Sequence, residues 1–115
     1  TQLTNDHSWV EEQVRAGTLT PPAARLHPWR NVVTRALSGG DDPDVDVVEI
    51  QPTAGERFLL SSDGLFGVVH DEQMAEIVSD RHASLEELCG RLIDAANAAG
   101  GPDNITAMLL QVDAP

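Results

Sequence analysis

The sequence holds one cysteine, Cys89, and that scarcity excludes two classes at once. A disulfide framework needs at least a pair, and a structural zinc site needs several ligands at fixed spacing. His7, His70 and His82 show no metal-type spacing to one another and are expected at the surface. Long hydrophobic runs are missing as well. Stretches such as Phe58-Leu59-Leu60 and Met108-Leu109-Leu110 are far too short to cross a bilayer, so no membrane partner is expected. No basic-then-apolar stretch at the N-terminus reads as a signal peptide, and a cytoplasmic location is the expectation. Lysine is absent altogether: seven arginines face nineteen acids, for a formal charge of -12. A field of that sign repels phosphate backbones and argues against nucleic acid as a partner.

What is present suits one globular domain: 115 residues, 41% hydrophobic and 23% charged, with apolar runs that require burial. The acidic excess has a plain reading as a solubilising surface. It also sets a condition on phosphate chemistry, since a positive group would have to be recruited. Carboxylates and backbone oxygens are the ligands that hard divalent cations prefer.

Residues 1–4 read as the tail of a strand, and nothing there resembles a domain start. Asp6 is placed to cap a helix over residues 7–16, with Trp9, Val10 and Val14 on one side and Gly17 as a left-handed stop. Thr20-Pro21-Pro22 opens a second helix through residue 26, because proline fits the first turn, and His27-Pro28 ends it. Residues 31–37 have strand character. Residues 38–44, rich in glycine and aspartate, form a loop. The alternation of Val45, Val47, Val48 and Ile50 predicts a strand over 45–51, paired antiparallel with a strand over 57–61 across the turn at 52–56. Asp71 should cap a helix reaching residue 79. Ser84-Leu85-Glu86-Glu87 is a capping box whose helix runs to residue 99, with a buried stripe of Leu85, Leu88, Cys89, Leu92, Ile93 and Ala96. Cys89 on that stripe reads as an inert small hydrophobe. Gly100-Gly101-Pro102 breaks the helix, and residues 105–112 form a last strand, apolar enough to be central.

Helices and strands mixed with antiparallel connections predict an α+β fold. Helices on one face leave the valine- and leucine-rich opposite face of the sheet uncovered, and a sheet of that kind needs a second layer. With the missing start, this implies part of a larger domain and an exposed face able to self-associate.

Two segments could carry chemistry. In Leu60-Ser61-Ser62-Asp63-Gly64-Leu65 an apolar strand ends in an aspartate followed by glycine. In Gly101-Pro102-Asp103-Asn104-Ile105-Thr106 an aspartate sits on a turn that enters a strand. If those strands are neighbours, Asp63 and Asp103 meet at one hard cation such as Mg²⁺ or Mn²⁺, with Gly64 letting backbone come close. Asp-Gly and Pro-Asp-Asn are equally ordinary turn signals. Asn104 and Thr106, flanking Asp103, are expected to orient it rather than react. Ser61 and Ser62 lack the G-x-S-x-G surroundings of a nucleophile.

The ordered set DHS, HPWRN, TRAL, LLSSDGL and GGPDNIT, spread from Thr4 to Val112, resembles the C-terminal half of the bacterial metal-dependent, type 2C serine/threonine protein phosphatases. The resemblance implies an α-β-β-α sandwich, two antiparallel sheets flanked by helices, with a binuclear Mn²⁺ or Mg²⁺ centre at one end. Its SDG and PDN aspartates are metal ligands in that family and match Asp63 and Asp103, with Gly64, Asn104 and Thr106 shaping the site. Residues 5–44 correspond to a flap-like region in which His27 and Arg30 could touch substrate. A turn anchored by Trp29, and an ion pair from Arg30 or Arg35 to an acid, are the simpler readings of that stretch. The implied reaction is hydrolysis of phosphoserine and phosphothreonine in proteins, with a serine/threonine kinase or its targets as natural partners.

The family's N-terminal half supplies a DGxGG segment that bridges both metals and an arginine that grips phosphate, and neither stands in this chain. At most one well-liganded ion is therefore expected here, the N-terminal half of the domain counts as a missing partner, and the chain alone should be inactive. The alternatives are a non-catalytic partner-binding half-domain, a degenerate phosphatase fold, and a proteolytic fragment.

Overall fold

The structure, a computed structural model, describes residues 1–36 and 44–113. Most of the expected 38–44 loop, and the end of the expected 31–37 strand, lie outside the described residues. The chain divides into two compact units, Thr1–Ile50 and Gln51–Pro115.

In the first unit, helix α1 spans Trp9–Arg15 and helix α2 spans Pro21–Leu26. The cap of α1 is Ser8, whose hydroxyl accepts from the Glu11 amide at 3.3 Å, and not Asp6. Asp6 lies too early to reach the free amides of the first turn, and its carbonyl instead accepts from Arg15 Nη1 at 3.3 Å. Gly17 stops the helix at φ +80°, as the sequence predicts. Thr20 caps α2 through the Ala23 amide at 3.4 Å, with prolines in its first turn. Backbone bonds tie the following turn to α1: Trp9 N–H donates to Val32 O at 3.0 Å, and Val32 N–H to Trp29 O at 3.0 Å.

Residues 1–4, 31–36 and 45–51 form no strand, against the sequence expectation; a single bridge joins Ser8 and Val33. Alternation selects the faces of a strand, but a strand exists only through the hydrogen-bond ladder of a neighbour. Among the described residues none offers an edge to 45–51, and Val47 is left 82% exposed.

The second unit contains strand β1 (Arg57–Ser61), the one-turn helix α3 (Asp63–Phe66), helices α4 (Asp71–Val78) and α5 (Leu85–Ala98), and strand β2 (Ala107–Gln111). The partner of β1 is β2, not 45–51: the two run antiparallel with Phe58 opposite Leu110, Leu60 opposite Met108 and Ser61 opposite Ala107. Among the described residues the sheet has only these two strands, so β2 is not central. His70 stands at the cap position of α4 and Asp71 in its first turn, one residue on from expectation. Ser84 caps α5 through the Glu87 amide at 3.1 Å. That helix ends in a Schellman turn: Gly101 N–H donates to Ala96 O and Gly100 N–H to Asn97 O, both at 3.1 Å, with positive φ at both glycines.

The period of two along the strands divides their residues cleanly. Leu59, Ala107 and Leu109 face a core of Leu65, Val69, Met74, Leu92 and Ala96. The other face carries Leu60, Met108 and Leu110, each about half exposed. The α+β class and the uncovered sheet face stand as the sequence implies. Cys89, on the flank of the α5 stripe, is half-buried and free.

Arg57 closes the corner of this unit. Its Nη1 donates to the carbonyls of Val78 (2.7 Å) and Asp80 (2.9 Å), and its Nε to Gln111 Oε1 (2.9 Å). It thereby satisfies carbonyls at the C-terminal end of α4 that the helix leaves open. The Asp80 carboxylate holds Arg91 Nη1 at 2.8 Å and the His82 amide at 2.8 Å, which keeps its pKa below the usual 3.8, the arginine bond being the larger cause.

Candidate functional site

The register of β1 and β2 decides where the two aspartate motifs meet. Since Ser61 pairs with Ala107, the residues after Ser61 and before Ala107 leave the ladder at the same end. Ser62 then bridges them. Its amide donates to Thr106 O at 3.0 Å, its hydroxyl donates to Asn104 O at 3.2 Å, and the same oxygen accepts from the Thr106 amide at 3.0 Å. Two loops far apart in sequence are thus held in fixed register by one side chain.

Gly64 makes the closest approach. It is buried in the first turn of α3, and a Cβ there would run into the Asn104 carbonyl oxygen and lie 2.9 Å from the carbonyl carbon and 3.4 Å from Ile105 Cγ1. Its φ is unexceptional, so the requirement for glycine is one of space rather than of backbone conformation.

Each of the two aspartates directly precedes a residue of this contact, Asp63 before Gly64 and Asp103 before Asn104, and both are exposed. Asp63 is the first residue of α3, directly after Ser62, and no hydrogen bond or ion pair holds its carboxylate among the described residues. The Asp103 Oδ1 accepts from the Asn104 amide at 2.7 Å, which leaves Oδ2 without a protein partner among the described residues. Asn104 and Thr106 contribute here through backbone atoms, and among the described residues no hydrogen bond involves their side chains. Ser62 is the residue of this junction that sequence reasoning passes over. Weighed only as a nucleophile, it is instead the bond that joins the loops, and a serine placed directly before the aspartate is the signal that could have drawn attention to it.

As donors for a cation, two carboxylates with three uncommitted oxygens fit a hard divalent ion in chemistry. They do not fill its shell. Among the described residues no group of three histidine, cysteine, aspartate or glutamate side chains could hold a metal. An octahedral ion bound here would draw its remaining ligands from water or from another part of the protein.

His27 and Arg30 belong to the first unit. Arg30 donates to the His27 carbonyl from Nη1 at 3.1 Å and from its amide at 3.1 Å, closing a turn around Trp29, and no ion pair to Arg30 is present among the described residues. Arg35 does form the expected ion pair: Asp46 accepts from Arg35 Nη1 at 3.0 Å and faces His7 Nε2 at 2.8 Å. The His7 bond first, and the Arg35 bond second, hold the Asp46 carboxyl below its usual 3.8. Among the described residues of the same unit, open clefts of about 600 and 670 Å³ are lined by segments 3–7 and 44–50 among others, and neither is lined by Asp63 or Asp103.

Comparison with known proteins gives one consistent answer. The family model described as Protein phosphatase 2C matches residues 40–105. Protein phosphatase PhpP of Streptococcus pneumoniae is 37% identical over 112 residues, covering 97% of this chain and 45% of the relative. Among solved structures, the PPM Ser-Thr phosphatase MsPP from Mycobacterium smegmatis, in complex with cacodylate, superposes with TM-score 0.85 at 39% identity, covering 96% of this chain and 47% of that one. The catalytic domain of the serine/threonine protein phosphatase PstP, in complex with two manganese ions, gives TM-score 0.79 at 36% identity, over 98% of this chain and 46% of that one. The chain therefore spans about half the length of PhpP, with the fold of the matching part retained.

Proposed function

Because the chain belongs to the protein phosphatase 2C family, we propose that it forms the C-terminal, metal-binding portion of a catalytic domain that hydrolyses phosphoserine and phosphothreonine in proteins. Phosphorylated proteins are its substrates, and a serine/threonine kinase acting on the same targets is its natural counterpart. The observation that carries this reading is the junction of the two aspartate motifs, pinned by Ser62 and closed by the contact of Gly64 on the Asn104 carbonyl.

In this reading Asp63 and Asp103 hold one Mn²⁺ or Mg²⁺ between them. The chemistry such an ion supplies is Lewis-acid polarisation of the phosphoryl group and neutralisation of its developing charge. The chain's own residues set the position of the donors. Ser62 fixes the separation of the loops, and Gly64 permits it. The Asn104 amide, bonded to Asp103 Oδ1, fixes the rotation of that carboxylate and leaves Oδ2 as its free donor. The remaining donors, and the group that grips the substrate phosphate, come from the part of the domain this chain does not span. Two carboxylates alone make a weak site, and the chain by itself is expected to turn over little phosphate ester. The two manganese ions with PstP support the metal requirement in a relative of this fold. The flap-like role of residues 5–44, with His27 and Arg30 near substrate, belongs to the same proposal.

Calorimetric titration with Mn²⁺ tests the reading. One weak site is expected, lost in both Asp63→Asn and Asp103→Asn. Binding that survives either substitution overturns the shared site, and no binding at all favours a degenerate, partner-binding scaffold. Robust Mn²⁺-dependent hydrolysis by the chain alone would overturn the view that it is an incomplete catalyst.

A further inference from the structure

We propose that His27 is a pH-sensitive latch on the turn that carries Trp29 and Arg30, closed when the imidazole is neutral and released when it is protonated. The Trp29 amide donates to His27 Nδ1 at 3.0 Å. A backbone N–H can only donate, so Nδ1 must be the acceptor, and the closed turn requires the neutral ring with its proton on Nε2. Protonation places a second hydrogen on Nδ1, facing the amide hydrogen, and no flip of the ring can restore an acceptor.

The surroundings limit what such a release can do. The His27 ring packs at 5.0 Å from the Trp9 ring and 6.0 Å from the Trp29 ring, and the two indoles lie 4.9 Å apart, edge to face. An imidazolium beside two indoles gains cation–π attraction, so the ring cluster persists while the backbone bond is lost. The charged groups on the elements packed there are Glu11, Glu12 and Arg15 of α1, Arg25 of α2, and Arg30 in the turn itself. Arg30 reaches only the His27 carbonyl, and among the described residues no carboxylate bonds to the imidazole. Among the described residues no second protein acceptor bonds the Trp29 amide, which is exposed and would turn to water. Since both Arg30 bonds end on the His27 carbonyl, loosening the Trp29 amide also loosens the hold on the Arg30 guanidinium.

Both tryptophans of the sequence sit in this cluster, so the protein carries its own reporter. The test is NMR and tryptophan fluorescence from pH 8 to pH 5, the window in which histidines exchange charge. At pH 8 the ¹⁵N shifts of His27 should identify the Nε2–H tautomer. On acidification the Trp29 amide should shift together with the His27 ring signals as fluorescence falls. Both responses should vanish in His27→Gln and persist in His7→Gln. An Nδ1–H tautomer at pH 8 overturns the proposal in the wild-type protein, whatever becomes of the variants. A Trp29 amide that stays fixed across that range, or a response that survives His27→Gln, overturns it equally. None of these readouts depends on phosphatase activity.

Discussion

Replacing Gly64 by alanine separates two opposite expectations. Helix propensity alone favours the change, since Gly64 lies in α3 and alanine gains up to about 1 kcal/mol over glycine in a helix. Space forbids it. The new Cβ would overlap the Asn104 carbonyl oxygen and sit 2.9 Å from its carbon, and both atoms are backbone. They cannot swing away as a side chain would. Relief requires the 103–106 loop to withdraw from α3, which breaks one or more of the Ser62 bonds to Asn104 and Thr106. Overpacking of this kind costs about 1–3 kcal/mol and each lost bond about 1 kcal/mol, so after the helical gain a net destabilisation of about 1–4 kcal/mol is expected. Urea unfolding measures it, with Gly90→Ala as the internal control. Gly90 lies within α5 with nothing within 4 Å of its would-be Cβ, so that variant should be stabilised by about 0.5–1 kcal/mol. A Gly64→Ala protein within about 0.5 kcal/mol of wild type, an ordinary margin for a change that meets no special contact, would refute the reasoning.

Two further expectations concern the second unit and the acid limb of stability. Arg57→Ala removes the donors on Val78 O, Asp80 O and Gln111, and should cost about 1–3 kcal/mol in urea unfolding; Arg57→Lys should recover little, since an ammonium cannot span the same fork. Asp46 and Asp80 both titrate below their ordinary 3.8, so each contributes stability that is present above pH 3.8 and is lost as pH falls through its folded-state value. In Arg91→Ala the carboxyl of Asp80 should titrate closer to 3.8 by NMR while that of Asp46 stays put, and equal movement of both would contradict the assignment.

How far the sequence reached follows from what each signal contains. Capping and stop residues act within a few positions, so Gly17, Thr20-Pro21, the Ser84 box and Gly100-Gly101 locate α1, α2 and α5, and Asp71 places α4 to within a residue. Errors of one or two residues, Asp6 for Ser8 and Asp71 for His70, arose where two capping-type residues or a polar neighbour lay close together. The single turn of α3 was illegible because Asp-Gly reads as a turn. Strand pairing is a non-local property. The valines of 45–50 alternate as a strand should, yet β1 pairs with β2, far along the chain, because that pairing buries Leu59 and Leu109 against α5 and the core around it. The same limit holds at the site. The SDG and PDN strings were readable as motifs, whereas the Ser62 bridge and the Gly64 contact exist only once β1 and β2 are in register. The Arg57 clamp is invisible for the same reason, since two of its three acceptors are backbone carbonyls that carry no side-chain signature and the third, Gln111, comes from the far strand.

The claim on which the functional reading turns is that Asp63 and Asp103 share one divalent ion. A crystal structure grown with Mn²⁺, with the ion located by its anomalous signal, tests it most directly. The account predicts one ion within coordination distance of both carboxylates, about 2.1 Å for an octahedral ion of this size, with Asp103 bound through Oδ2. An ion held by one aspartate alone, or carboxylates turned away from each other with no ion between them, would contradict it.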